Sequence, residues 1–239
     1  MKNCCIVFSG SLILVATGGG PTDKCQVVDV SSSTSCANLL SYPYSMKSAA
    51  GGVINGSPTI CGGSVGGGVY LESCYRFDKF ENSWKLHANM KSKRHSHAAA
   101  VINDVLFISG GYYNGQLAST EFINANGTVT SGTSLPLARQ GHCMVTLHDG
   151  KVMILGAESP YSLTKNVVVF DPADNSYTTG PSMSYPRNQG ACTLFKSNFH
   201  DGRPVVLSAG GLSQATAQVY DYTNSNHWQT SIHIIIYNM

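Results

Sequence analysis

Short apolar runs of four to six residues recur along the chain, each ending on a pair of small residues. They are 12–17 before Gly18-Gly19, 58–61 before Gly62-Gly63, 105–109 before Gly110-Gly111, 152–155 before Gly156-Ala157 and 204–209 before Gly210-Gly211. Apolar runs of this length, bounded by turn residues, predict buried strands. Between the first residues of successive pairs the steps are 44, 48, 46 and 54 positions, the period of an array of supersecondary units. No segment between the runs keeps a 3.6-residue apolar period, so helices are predicted to be minor.

The remainder of each unit follows the same order. Ahead of the pair stand an Arg and a small or polar cluster, as in Arg94-His95-Ser96-His97-Ala98, Arg139-Gln140-Gly141-His142-Cys143 and Arg187-Asn188-Gln189-Gly190-Ala191-Cys192. After the pair, a further apolar strand ends in an aromatic and an acid at Phe77-Asp78, Phe170-Asp171 and Tyr220-Asp221. Trp84, Tyr177 and Trp228 follow the acid by six or seven residues. The pattern predicts four strands per unit.

This ordered set of Gly-Gly, aromatic-acid and Trp resembles the kelch repeat, and the resemblance covers nearly the whole chain. It implies an all-β, kelch-type β-propeller in which each repeat is one four-stranded blade. Five units imply about five blades, approximately 1–41, 42–88, 89–135, 136–183 and 184–230, in a single domain over 1–239 with an atypical tail at 231–239. Kelch propellers more often have six or seven blades, so the chain is expected to be a propeller or a portion of one, and an incomplete ring should aggregate or need a partner because it exposes a sheet edge. The Gly pair suits a strand leaving the crowded part of a blade, where positive φ and close backbone approach exclude a side chain. Trp and Tyr rings are expected to pack between blades.

Composition fits a β-rich, turn-rich chain: 12% of the 239 residues are charged, 25 are Gly and the net charge is +2. The one basic cluster, Lys91, Lys93 and Arg94 with His95 and His97, reads as a solvated loop rather than a nucleic-acid patch. The start of the chain, Met1-Lys2 followed by apolar stretches at 4–8 and 12–16, has the outline of a secretory signal. It also reads as the first two strands of the first blade, which is the reading preferred here. That run is too short and too interrupted to span a membrane.

Eight cysteines are present. Cys61 ends a second strand and Cys74 opens a third, so antiparallel pairing would set them opposite each other, within reach of a disulfide. Cys143 and Cys192 occupy similar slots on first strands of successive units, which makes an inter-blade bridge the second candidate; Cys25 and Cys36 are left by elimination. The alternative is buried free thiols. Disulfides would imply an oxidising compartment, and two N-glycosylation sequons, Asn55-Gly56-Ser57 and Asn126-Gly127-Thr128, point the same way. Each sequon is also an Asn-Gly hairpin turn. By strand count both turns lie at one end of the blades, leaving the opposite loop face free. A secreted protein is the expectation, with a cytoplasmic one as the alternative.

On the free face the candidates for ligand contact are Tyr112, Tyr113, Glu158 and Tyr161 from loops after the Gly pairs, with Tyr185, Arg94, Arg139 and Arg187 from the inter-blade segments. Tyr and Arg are enriched at binding hot spots. The arginines also suit a repeated structural contact, and that reading ranks ahead of ligand binding. The run 62–68 has the glycine count of a phosphate loop but neither the following Lys-Ser/Thr nor a helix, and is expected to be a long flexible loop. His95, His97 and His142 have the residue type for a metal site, although a repeat position explains them more simply. No catalytic residue, metal or cofactor is assigned. The resemblance admits enzymes too, namely copper oxidases related to galactose oxidase and sugar-acid isomerases, but the Tyr, His and Cys set of the oxidases cannot be placed here. Intracellular kelch adaptors carry helical domains that this sequence lacks, so their role does not transfer, although a fragment of one is an alternative. The expectation is therefore a non-catalytic protein- or glycan-binding module, with neither nucleic acid nor a membrane span among its partners.

Overall fold

The computed structural model describes residues 5–9, 12–18, 20–29, 34–35, 41–212, 214–224 and 227–231. Among the described residues, apart from one turn of 3-10 helix at Asn198–His200, every regular element is a strand. Two compact units divide the chain, Met1–Gln140 and Gly141–Met239.

The first unit holds three four-stranded sheets. One is formed by β1 (Cys5–Ser9), β2 (Leu12–Gly18), β3 (Gly20–Asp29) and β4 (Thr34–Ser35) in chain order. The second is built from β5 (Ala50–Ile54), β6 (Ser57–Cys61), β9 (Ser73–Asp78) and β10 (Ser83–Asn89), with a separate hairpin, β7 (Ser64–Gly66) and β8 (Val69–Tyr70), inserted between its middle strands. The third comprises β11 (Ala98–Ile102), β12 (Val105–Ser109), β13 (Thr120–Ile123) and β14 (Val129–Gly132). In the second unit, β15 (Cys143–Thr146), β16 (Val152–Glu158), β17 (Leu163–Asp171) and β18 (Ser176–Gly180) form one sheet. The other contains β19 (Ala191–Ser197), β20 (Arg203–Ala209), β21 (Ala217–Tyr220) and β22 (Gln229–Ser231). All pairs are antiparallel, so each sheet is an up-and-down meander with the four strands expected of a kelch blade.

Burial explains the apolar runs. Ile54, Cys61, Cys74, Leu106, Ile108 and Ile123 interleave between the second and third sheets, while Met153, Leu155, Val167, Val206 and Tyr220 do so between the two sheets of the second unit. Each fully buried aliphatic side chain stabilises the fold by roughly 1.5–3 kcal/mol. Trp84 lies buried with Tyr42, Met46 and Ile60, and Trp228 stacks on Tyr220 while its indole N–H donates to the Pro181 carbonyl at 2.9 Å.

The small pairs have a common geometry. The first residue has φ of +63° at Gly62, +57° at Gly110, +63° at Gly156 and +66° at Gly210. A Cβ on Gly62 would lie 2.5 Å from the Arg94 carbonyl oxygen. The second residue of the pair donates its N–H to the carbonyl of the arginine that opens the next repeat: Gly63 to Arg94 at 2.9 Å, Gly111 to Arg139 and Ala157 to Arg187, both at 2.8 Å. The repeat motif is thus a backbone clasp.

Two disulfides close. Cys61 and Cys74 are register partners on β6 and β9 with Cα atoms 4.0 Å apart, and Cys143 on β15 joins Cys192 on β19 with Cα atoms 5.9 Å apart. Cys25 lies on β3, whereas Cys36 and the tail 232–239 lie outside the described residues. The run 62–68 is not a structureless loop: Ser64 and Gly66 pair with Tyr70 and Val69 across a turn in which Gly66, Gly67 and Gly68 all have positive φ. Asn55-Gly56 is a two-residue hairpin turn with φ of +46° and +69°. Asn126-Gly127 instead belongs to a longer turn closed by Asn124 N–H to the Thr128 carbonyl, with positive φ at Gly127 alone of the two.

Candidate binding face

In a four-stranded meander, the connections from the second to the third strand and from one sheet to the next emerge at one end. In the first unit that end carries the β7–β8 hairpin, the 90–97 connection and the 110–119 loop. They bring four rings together. Tyr70 stacks on His95 with centroids 4.6 Å apart and planes 23° from parallel. Tyr113 meets the edge of Tyr70 at 6.2 Å, and His95 lies 5.5 Å from Tyr112. Backbone pairing of His95 with Tyr112 in both directions, at 2.9 and 3.3 Å, fixes the two loops to each other. Ser96, with φ of +51°, places its hydroxyl 3.0 Å from His95 Nδ1. Tyr113 is 38% exposed, and Tyr70, His95 and Tyr112 are half-buried. Burial, and after it the Lys47 ammonium, hold the His95 pKa below the ordinary imidazole value, so a neutral ring faces Tyr70 at neutral pH. The cluster is a preformed, half-exposed aromatic platform with Lys47 exposed beside it.

Beneath the loops lie the arginines. Arg94 and Arg139 are fully buried and Arg187 nearly so, which corrects their inclusion among ligand-contacting residues. The Arg94 guanidinium donates to the Gly110 and Ser119 carbonyls at 2.7 and 3.1 Å, to the Ser119 hydroxyl at 3.1 Å and to Glu121 Oε1 at 2.6 Å. Arg139 Nε donates to the Leu137 carbonyl at 3.3 Å. Arg187 donates to the Gly210 and Thr216 carbonyls, both at 2.7 Å, and to the Thr216 hydroxyl at 3.0 Å. These side chains hold the loops from below.

At the corresponding end of the second unit, Glu158 is half-buried and accepts a hydrogen bond from the buried Asn188 side chain at 3.0 Å. Tyr161 is 87% exposed at the tip of a turn closed by Ser159 N–H and hydroxyl, both donating to the Ser162 carbonyl at 2.9 Å. Tyr185 is 43% exposed. These residues do not form a ring cluster like that of the first unit. The histidines part company as well: His95 and His97 precede β11 rather than lying on it, and His97 and His142 are buried. Among the described residues no group of three or more His, Cys, Asp or Glu side chains is placed to hold a metal ion. No helix there is long and apolar enough to cross a membrane.

Sequence reasoning missed Tyr70 as a site residue and considered His95 only as a metal ligand. The signal for Tyr70 was available in principle: an aromatic at the end of a glycine-rich insertion between two strands of one blade is on the loop face by strand count.

No family model matches the chain. Among curated proteins, it is 33% identical to Kelch-like protein terF of Aspergillus terreus over 110 residues, which is 41% of this chain and 24% of that protein. It is 29% identical to spermatocyte protein spe-26 of Caenorhabditis elegans over 63% of this chain and 28% of that protein. It is 27% identical to Kelch-like protein 35 of Mus musculus over 67% of this chain and 27% of that protein. The matches thus span about a quarter of the length of those relatives. The solved structure of YjhT superposes with a TM-score of 0.75 at 14% identity, covering 88% of this chain and 72% of that one. The Gly-pair clasps, the four-stranded meanders and these likenesses make the chain similar to kelch-repeat proteins, and its fold is that of a kelch-type β-propeller.

Proposed function

We propose that the protein is a secreted, non-catalytic binding module that engages a protein or glycan through its loop-face aromatics. The observation that carries the reading is the Tyr70, His95, Tyr112 and Tyr113 cluster, in which half-exposed rings are held in fixed mutual orientation by backbone pairing rather than buried in the core. Rigid aromatic surface with polar tips binds at low conformational cost, which is why Tyr and Trp dominate hot spots. The similarity to kelch-like proteins supports a binding role, and two disulfides support export.

The test is a two-part screen of the exported protein against an immobilised glycan panel and a panel of extracellular proteins, followed by affinity measurement with Tyr70→Ala, Tyr113→Ala and Tyr161→Ala. Hot-spot truncations cost at least about 2 kcal/mol, so a drop of roughly thirtyfold is expected for Tyr70→Ala and Tyr113→Ala with the melting temperature nearly unchanged. Equal affinity in all variants, or turnover of a bound sugar, would remove the reading.

A further inference from the structure

At the end of the first unit opposite the aromatic platform, the second sheet has a cleft of about 410 Å³ beside the Asn55 turn. Ser57, the hydroxyl residue of the Asn55 sequon, lines it, as do Arg76, Lys79, Phe80, Leu86 and His87. The volume is in the range of small-ligand sites. Its polar rim is built on the turns that carry both sequons. Arg76 donates to the Ile54 carbonyl at 3.1 Å and to the Ala125 carbonyl at 2.9 Å, and His87 Nε2 lies 3.0 Å from the Asn124 carbonyl oxygen. Asn55 itself is held by its backbone, its N–H donating to Asp104 Oδ1 at 3.1 Å, while the residue stays exposed.

Phe80 is the unexplained part of this cleft. It stands two residues after Asp78 in the β9–β10 turn, and the fold requires only its N–H, which donates to Asp78 Oδ1 at 2.9 Å. At the same place in the two sheets of the second unit, Ala173 N–H donates to Asp171 Oδ1 at 3.0 Å and Thr223 N–H to Asp221 Oδ1 at 3.1 Å. A methyl or a hydroxyl therefore meets the structural need. The phenyl ring is 89% exposed, its one ring contact among the described residues being the Lys79 ammonium 5.3 Å from its centroid, and it shares the cleft with Leu86, which is 56% exposed.

We propose that Asn55 carries an N-linked glycan whose first sugar residues lie in this cleft against Phe80. An N-acetylglucosamine ring has a face of C–H groups that packs on an exposed aromatic, with hydroxyls and an acetamide on its rim that exchange hydrogen bonds with Lys, Arg and His. The cleft supplies both kinds of surface, and the modified Asn starts two residues from its wall. The inference rests on the export in the functional reading above, but not on the loop-face ligand.

The experiment uses the full chain exported from eukaryotic cells, with glycopeptide mass spectrometry and thermal melts of wild type, Asn55→Gln, Phe80→Ala and the double variant. Occupied Asn55 is expected in wild type and Phe80→Ala alike. Asn55→Gln should lower the melting temperature by about 2–4 °C in wild type and by much less in the Phe80→Ala background, a coupling that the cycle isolates. Asn126→Gln should add independently to Phe80→Ala. An unoccupied Asn55 in exported protein, or additive shifts for Asn55→Gln and Phe80→Ala, would overturn the proposal while leaving platform binding untouched. Retention of the protein inside the cell would overturn both export and glycan.

Discussion

The two described sheets with a fully placed arginine partner set differ in one buried atom pair, and the difference sets up a charge-placement test. In the first unit the Arg94 guanidinium meets Glu121, 0% and 3% exposed respectively. Glu121 also accepts the Lys91 and Ser92 N–H groups at 2.7 and 3.2 Å. Glu121 is the register partner of Ile108, two residues before Gly110; in the second unit Gln218 partners Ser208, two residues before Gly210. Gln218 keeps one of the acceptor roles, taking the Ser184 N–H at 3.1 Å, yet its side-chain amide N is buried without a hydrogen-bond partner among the described residues, while the Nε atoms of Arg94 and Arg187 are unpaired alike. Burial pulls the Arg187 pKa below its ordinary value, and no carboxylate opposes the shift as Glu121 does for Arg94. Gln218→Glu would replace an unpaired buried donor, which costs about 1–3 kcal/mol, by an acceptor whose charge-assisted hydrogen bond contributes about 1.5–3 kcal/mol. Burying the new carboxylate costs several kcal/mol, but Arg187 is already desolvated, so only one of the two ions adds a fresh penalty. The net expectation is a gain of about 1–2 kcal/mol, or roughly 2–8 °C at this chain length. The reciprocal Glu121→Gln leaves Arg94 without its anion and should cost about 3 kcal/mol. Thermal melts at pH 7, with hydrogen exchange to assign the change to β20 and β21, read both. Protonating the introduced carboxylate removes its charge-assisted bond to Arg187, so the gain present at pH 7 should be absent at pH 3. A Gln218→Glu variant that is neutral or destabilised at pH 7, or stabilised equally at pH 3, refutes the reasoning.

Three other outcomes are expected. Gly62→Ala sets a Cβ 2.5 Å from the Arg94 carbonyl oxygen at φ of +63°, whereas Gly67→Ala at φ of +59° meets nothing within 4 Å. The second should cost only the left-handed penalty of about 1–2 kcal/mol and the first distinctly more, as denaturant melts of the pair will show. Removing Cys143–Cys192, with a sequence separation of 49, should cost about 4 kcal/mol against about 3 kcal/mol for Cys61–Cys74 with a separation of 13, on loop-closure entropy; melts of the paired Cys→Ala variants check the order. Because burial lowers the folded pKa of His95, its contribution is complete above the unfolded value of about 6.5 and is lost as pH falls through the folded one. Stability should therefore drop between pH 7.5 and 5, and the drop should be smaller in His95→Gln.

The fold was legible because its recurring constraint acts on the backbone of adjacent residues. A strand that ends with its first small residue near φ of +60°, followed by an N–H clasped to the next repeat, leaves a Gly pair in the sequence wherever it occurs. Ala157 shows how tightly the constraint is kept, since this one exception stands at φ of +151° and carries the smallest side chain available. The candidate site is written differently. Strand count alone puts Tyr112, Tyr113, Glu158 and Tyr161 in loops at the blade end, but the contacts that make a platform join Tyr70 to His95 across 25 positions, and their orientation depends on a hairpin made possible by three glycines whose number suggested only looseness. Arg94 is the same lesson in reverse. Its place in the repeat is plain, yet the anion that pairs with it is Glu121 two strands away, a residue with no motif of its own. Backbone geometry repeats and so can be read from one chain; side-chain partnership in a propeller is set between strands and between sheets, and sequence spacing records it only where two partners fall in one repeat slot.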